Sequence, residues 1–181
     1  MADLSPLCAG HLLIVANHHH LSFAEMIEGH EREIKDFIGQ TFPQYRDTFG
    51  EPLILEHGSA ENTDGSACIT HAHWHIVPLA LRAAHTVMTG DGLTSIELER
   101  LGDLAMLGRG VPYFYCADRD SRRLYGVGQT MKRQYLRSVM GALLGIPDPE
   151  WDYAAVVRRD LLRITLARTV AWRIRVRLTS G

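Results

Sequence analysis

The chain opens with short apolar runs set between polar turns and continues with stretches of helical spacing. The runs at residues 11–16, 52–57 and 68–79 have strand length and are bounded by turn formers. Between the first two, Met26, Ile27, Ile34, Phe37 and Ile38 keep helical spacing, predicting a helix from residue 23 to about 42. Ser22 stands as its N-cap, with Glu25 three residues later completing a capping box. Residues 58–66 are polar and rich in turn formers, which predicts a loop, and Gly90-Asp91-Gly92 predicts a turn. A helix is expected over 94–107. Two apolar runs, 112–117 and 122–127, flank Asp118-Arg119-Asp120-Ser121 as a hairpin. Over 129–144, Leu136, Val139, Met140, Leu143 and Leu144 form one helical stripe, and Gly145 follows as a stop. A last helix is expected from 156 to about 171, and residues 173–178 alternate with period two, as a strand does.

Strands in hairpin-compatible neighbourhoods, without a repeating strand–helix–strand series, predict an α+β fold: an antiparallel sheet with packed helices. With 181 residues and no linker rich in Gly, Pro or Ser, the expected organisation is a core over residues 1–111 and a C-terminal α/β extension over 112–181, packed on the same domain. Nearly half the residues are hydrophobic and 22% are charged, with a net charge of −2. This excludes a wholly disordered chain and predicts neither strong nucleic-acid nor membrane attraction. Cys8, Cys68 and Cys116 are odd in number and widely spaced, so a reducing, cytoplasmic setting without a disulfide framework is expected. The stretch from Arg158 to Arg177 carries seven arginines against one acid, Asp160, and reads as a surface helix followed by a charged edge strand.

Histidine changes this picture. Ten are present, and His71-Ala72-His73-Trp74-His75 places three at alternate positions of a predicted strand. Alternate residues share a face, so three imidazoles line one side while Ala72, Trp74 and Ile76 line the other. Each buried imidazole must find partners for two ring nitrogens, which makes three adjacent ones costly as mere packing. Two chemistries fit. A metal could be held by two of the three with His11, Glu56 or His57, although the outer pair stands about 13 Å apart along a straight strand. Alternatively, a neutral imidazole is a good nucleophile near neutral pH, and its neighbours can hold its tautomer and bind an anion. His18, His19 and His20 at a strand-to-helix turn read as solvated loop residues.

The run from His71 to Val77 resembles the His-φ-His-φ-His-φ-φ signature of the histidine triad superfamily of nucleotide hydrolases and transferases (φ, apolar). Asp3-Leu4-Ser5-Pro6, then Gly10-His11 and the apolar run to Val15, resembles an upstream segment of that family; Glu56-His57-Gly58-Ser59 and the Gly65 loop match more loosely. The resemblance covers about residues 3–79 and carries no counterpart for the strand and helix that precede this segment in relatives.

It implies that His73 attacks the α-phosphorus of a nucleotide, leaving a nucleotidyl-histidine that water cleaves. His71 would orient His73, His75 would contact phosphate and help protonate the leaving group, and His11 would stand behind them. Asp3 would meet ribose hydroxyls, while Glu56, Ser66 and Cys68 would lie along the phosphate and substrate. His75, where transferase branches commonly carry Gln, implies hydrolysis. A nucleotide-type substrate, a homodimer, and neither metal nor cofactor complete the expectation, with nucleotidyl transfer and a catalytically inactive nucleotide-binding module as its alternatives.

Overall fold

The computed structural model describes residues 1–58, 71–107, 110–129, 133–152 and 156–172. Its elements are β1 (Leu12–Val15), α1 (Phe23–Phe49), β2 (Leu53–Gly58), β3 (His73–Val77), α2 (Leu81–Gly90), β4 (Ser95–Leu98), a 3-10 helix (Leu101–Leu107), β5 (Tyr113–Ala117), β6 (Arg122–Tyr125), α3 (Tyr135–Leu143) and α4 (Arg159–Thr169). The strands form one sheet in the order β1-β3-β2-β5-β6-β4, and every pair in it is antiparallel. The fold is α+β, and the sheet takes strands from both sides of residue 111.

Both sheet faces are covered, which is why β2, two strands in from the β1 edge, is buried at all six positions. On the first face, Ile54, Trp74, Ile76, Tyr113 and Tyr115 meet Phe23, Ile27, Ile34 and Tyr45 of α1 and Leu101 and Leu104 of the 3-10 helix. On the second, Leu53, Leu55, Val77, Phe114, Cys116 and Tyr125 meet Leu81, Ala84 and Met88 of α2 and Leu136, Val139 and Met140 of α3. Burial of this many large apolar side chains drives the assembly.

Several expectations need correction. The helix expected over 94–107 is instead β4, paired with β6, and then the 3-10 helix; pairing in the sheet overrides the helix-forming Glu and Leu residues. α2 has no counterpart among the expected elements, although Leu81, Ala84 and Met88 keep helical spacing. α1 does not stop before Pro43 but runs to Phe49 with Pro43 inside it. Proline forfeits one helix hydrogen bond, and the turns beyond it compensate by burying Tyr45, whose hydroxyl donates to the Gly10 carbonyl at 2.8 Å. α3 begins at Tyr135 rather than 129. Ser22 makes no side-chain capping bond, and Glu25 accepts from the Leu21 amide instead. The strand expected at 173–178 lies outside the described residues.

Cys8 and Cys116 are free thiols. Among the described residues, no helix is long and apolar enough to cross a membrane.

Candidate histidine site

β3 alternates as its sequence requires: Trp74 and Ile76 enter the first core, and Val77 enters the second. His73 and His75 therefore lie on the second face, at its β1-side margin, with ring centroids 5.0 Å apart. His71 precedes the regular strand, and its Nε2–H donates to the Ala16 carbonyl at 2.6 Å. His73 Nδ1–H donates to the His71 carbonyl at 2.8 Å. A backbone carbonyl only accepts, so this bond places the His73 proton on Nδ1 and leaves the Nε2 lone pair uncommitted. Among the described residues no hydrogen bond occupies that nitrogen.

His75 is pinned through a second imidazole. The Leu7 amide donates to His11 Nδ1 at 3.2 Å, and His11 Nε2 meets His75 Nδ1 at 2.9 Å. An amide can only donate, so neutral His11 carries its proton on Nε2. His75 Nδ1 must then accept, and its own proton sits on Nε2. One backbone amide thus sets two tautomers in succession.

Behind His11 lies a buried ion pair. Asp3 accepts from the Ser5 amide at 2.7 Å and from Arg137 Nη1 at 3.2 Å. Arg137, contributed by α3, also donates to the Ser5 carbonyl at 2.7 Å and to the Trp151 carbonyl at 3.0 Å. The Asp3 carboxylate lies 3.6 Å from His11 Nε2. That contact is not an ion pair at neutral pH, because burial pulls the His11 pKa down to about 4, against the raising influence of Asp3. Gly10, next to His11, has φ +86°, and a Cβ there would stand 2.6 Å from the Phe49 ring, so this close approach requires glycine.

His11, His73 and His75 are shifted toward the neutral form. Burial holds His75 well below its ordinary value, reinforced by His73, His11 and Arg137. Burial also lowers His73, opposed by its bond to the His71 carbonyl. Neutral His73, with Nε2 uncommitted, has its ring centroid 5.0 Å from that of His75, whose proton sits on Nε2: a nucleophile near a hydrogen-bond donor.

Two expected substrate contacts are placed elsewhere. Asp3 is buried, with both oxygens engaged, and serves His11 rather than an open pocket. Glu56 lies on the first face, with Ile54 and opposite Tyr115, one residue out of phase with the histidines. Its carboxylate accepts from the Phe23 amide at 2.7 Å and from Trp74 Nε1 at 3.0 Å, and bonds with the Tyr113 hydroxyl. It thereby caps α1, where an anion is favoured, and braces β3 from behind. Burial raises its pKa to about 7, against these hydrogen bonds. Ser66 and Cys68 lie outside the described residues.

In the sequence His57 stands out only as a possible metal ligand. It has the parity of Leu53 and Leu55 and comes to the histidine face. The signal was its even spacing from them, hidden because β2 shows no polar alternation.

One group of possible metal ligands gathers among the described residues: Asp3, His11 and His75, with ligand atoms within 4.8 Å of one another. Their lone pairs are already used by Leu7, Arg137 and each other. A cation would have to break this chain of bonds beside the Arg137 charge, so the arrangement is built as a hydrogen-bond relay rather than a metal cage.

No protein-family model matches the chain, and no curated protein matches it.

Proposed function

We propose that this chain is a histidine-triad-like hydrolase that releases a nucleoside monophosphate from a second group through a nucleotidyl-histidine on His73. The observation carrying this reading is the His73 ring itself: Nδ1–H is held by the His71 carbonyl at 2.8 Å while Nε2 is left as a free lone pair. In the first step Nε2 forms a bond to the α-phosphorus, and the bond to the leaving group breaks with its electron pair. His73 becomes cationic, and the Nδ1–H bond to the carbonyl strengthens as that charge develops. In the second step water attacks phosphorus and gives up a proton to solvent. The N–P bond breaks, its electron pair returns to Nε2, and the monophosphate departs.

His75 serves as a hydrogen-bond donor to a phosphoryl oxygen through Nε2–H. The family resemblance assigns it a second task, protonating the leaving group. As an imidazolium it would carry protons on both nitrogens and lose its Nδ1 bond to His11. The pinned tautomer therefore favours groups that leave as stable anions, such as the phosphate of a phosphoanhydride, above amines. His71 contributes its carbonyl to His73, and His11 sets the proton position of His75.

The test is release of AMP from an adenosine phosphoanhydride and from an adenosine phosphoramidate, measured by chromatography for wild type and His73→Ala. Wild type is expected to prefer the phosphoanhydride. The variant is expected to lose at least about 10⁴-fold in turnover while keeping the wild-type circular dichroism spectrum. Undiminished turnover in folded His73→Ala would sink the mechanism.

A further inference from the structure

β2 sends Leu53, Leu55 and His57 to the second face of the sheet. The two leucines end in the core; His57 does not end in packing alone. Leu55 stands opposite His75, where the β2–β3 pairing ends; His57, two residues on, keeps the parity of Leu55 and so belongs to the face of His73 and His75. The His57 residue is only 9% exposed. Its ring lies against Phe114, with centroids 4.7 Å apart. Among the described residues no hydrogen bond reaches either of its ring nitrogens.

A neutral imidazole carries one donor and one acceptor, and the described residues engage neither of those of His57. The neighbouring histidines are better supplied: His11 uses both nitrogens, and His73 and His75 each use Nδ1. Phe114 offers His57 only a ring. His73 influences His57 electrostatically. Gly58, immediately after His57, is also constrained: a Cβ there would overlap the Tyr113 ring. The backbone that presents His57 is therefore held close against β5.

We propose that His57 is a further substrate-contacting residue, donating a hydrogen bond from the neighbouring strand to the phosphoryl group that His73 attacks. This rests on the hydrolase reading and deepens it. His75 approaches that phosphoryl group along β3, and His57 approaches it across the ladder from β2. As Nε2 of His73 bonds to phosphorus, the non-bridging oxygens gain charge, and two fixed donors from different strands hold them without reorganisation.

The experiment compares wild type, His57→Phe and His57→Gln for AMP release. It also follows the imidazole nitrogens by ¹⁵N NMR while AMP, and separately inorganic phosphate, is added to the wild-type protein. The phenyl ring keeps the contact with Phe114 and removes the donor. It is expected to lower kcat/KM by about 100-fold, and the Gln amide, which restores a donor, to recover at least tenfold of that loss. AMP is expected to shift the His57 ring nitrogens. Full activity of His57→Phe beside an active wild type overturns the proposal and leaves His73 as nucleophile. Shifted His57 nitrogens in a wild type that releases no AMP keep His57 as a nucleotide contact and overturn the hydrolase reading. Unshifted His57 nitrogens with both ligands overturn the proposal even where the variants fail to fold.

Discussion

The two faces of the β2–β3 ladder both bury polar groups, but they treat them differently. On the first face, the Glu56 carboxylate receives the Phe23 amide, the Trp74 indole and the Tyr113 hydroxyl. On the second, His73 has a committed Nδ1 and an open Nε2, and His57 has no hydrogen bond among the described residues. A polar group whose partners are all supplied by the protein holds structure together. One left incomplete in a nearly buried place costs stability and is a place for a ligand to supply what is missing. Residue type does not make this distinction: a carboxylate is structural here, and among the imidazoles of one face His11 has both nitrogens bonded while His73 and His75 each have one.

The comparison is sharpest where location and satisfaction disagree. Arg137 and Asp3 lie on the functional side, behind His11, yet their bonds to Ser5, Trp151 and each other leave them complete. They should behave as structure. Arg137→Met leaves the Asp3 carboxylate buried without its cation, and the expected loss is about 3–5 kcal/mol, measured by urea denaturation. AMP release per folded molecule should fall far less than in His73→Ala. A variant as stable as wild type but inactive would break the rule that complete groups are structural.

On the opposite face, above pH 7, where Glu56 is ionised and only accepts, Glu56→Gln replaces it with an amide whose NH2 must face a donor. The expected cost is about 2–3 kcal/mol, again read from denaturation, with turnover of the folded fraction nearly unchanged. Had Glu56 been a phosphate contact, as the family resemblance implied, the result would be reversed: little change in stability and a large change in rate.

That reversal shows how far the sequence could be read. The alternation of His71, His73 and His75 against Ala72, Trp74 and Ile76 places His73 and His75 on one face without any coordinates, because strand geometry is strictly two-residue periodic. The same parity applied to β2 separates Glu56 from His57, but β2 is buried on both sides, so no polar–apolar contrast marks the faces. Only its pairing with β3 and β5 does so. Asp3 was legible as a residue of the site region but not in its task, because its partner Arg137 is 134 residues away. The expected helix over 94–107 failed for a related reason: the pairing of Ser95–Leu98 with β6 is a tertiary contact that local propensity does not contain.

The smallest effect expected is also the one that sets the two faces against each other. Burial holds His11 and His57 at about 4 when folded, against an ordinary value of 6.5, and also holds His75 well below that ordinary value. Between pH 6.5 and 4 the unfolded chain therefore binds more protons at these groups than the folded one, and their contribution to stability is lost as pH falls. Glu56 has the opposite sign. Its folded pKa is raised to about 7 from 4.5, so its contribution is fully present below 4.5 and is lost as pH rises toward 7. Histidines outnumber the single carboxylate, so unfolding free energy should increase from pH 4 to about 6.5. His57→Phe removes one histidine titration and should flatten that rise, by at most about 1.4 kcal/mol per pH unit. Glu56→Gln removes the opposing titration and should steepen it above pH 4.5. Chemical denaturation across this pH range measures both slopes. Two variants that shift the slope in the same direction would show that the faces do not differ in the way their hydrogen bonds imply.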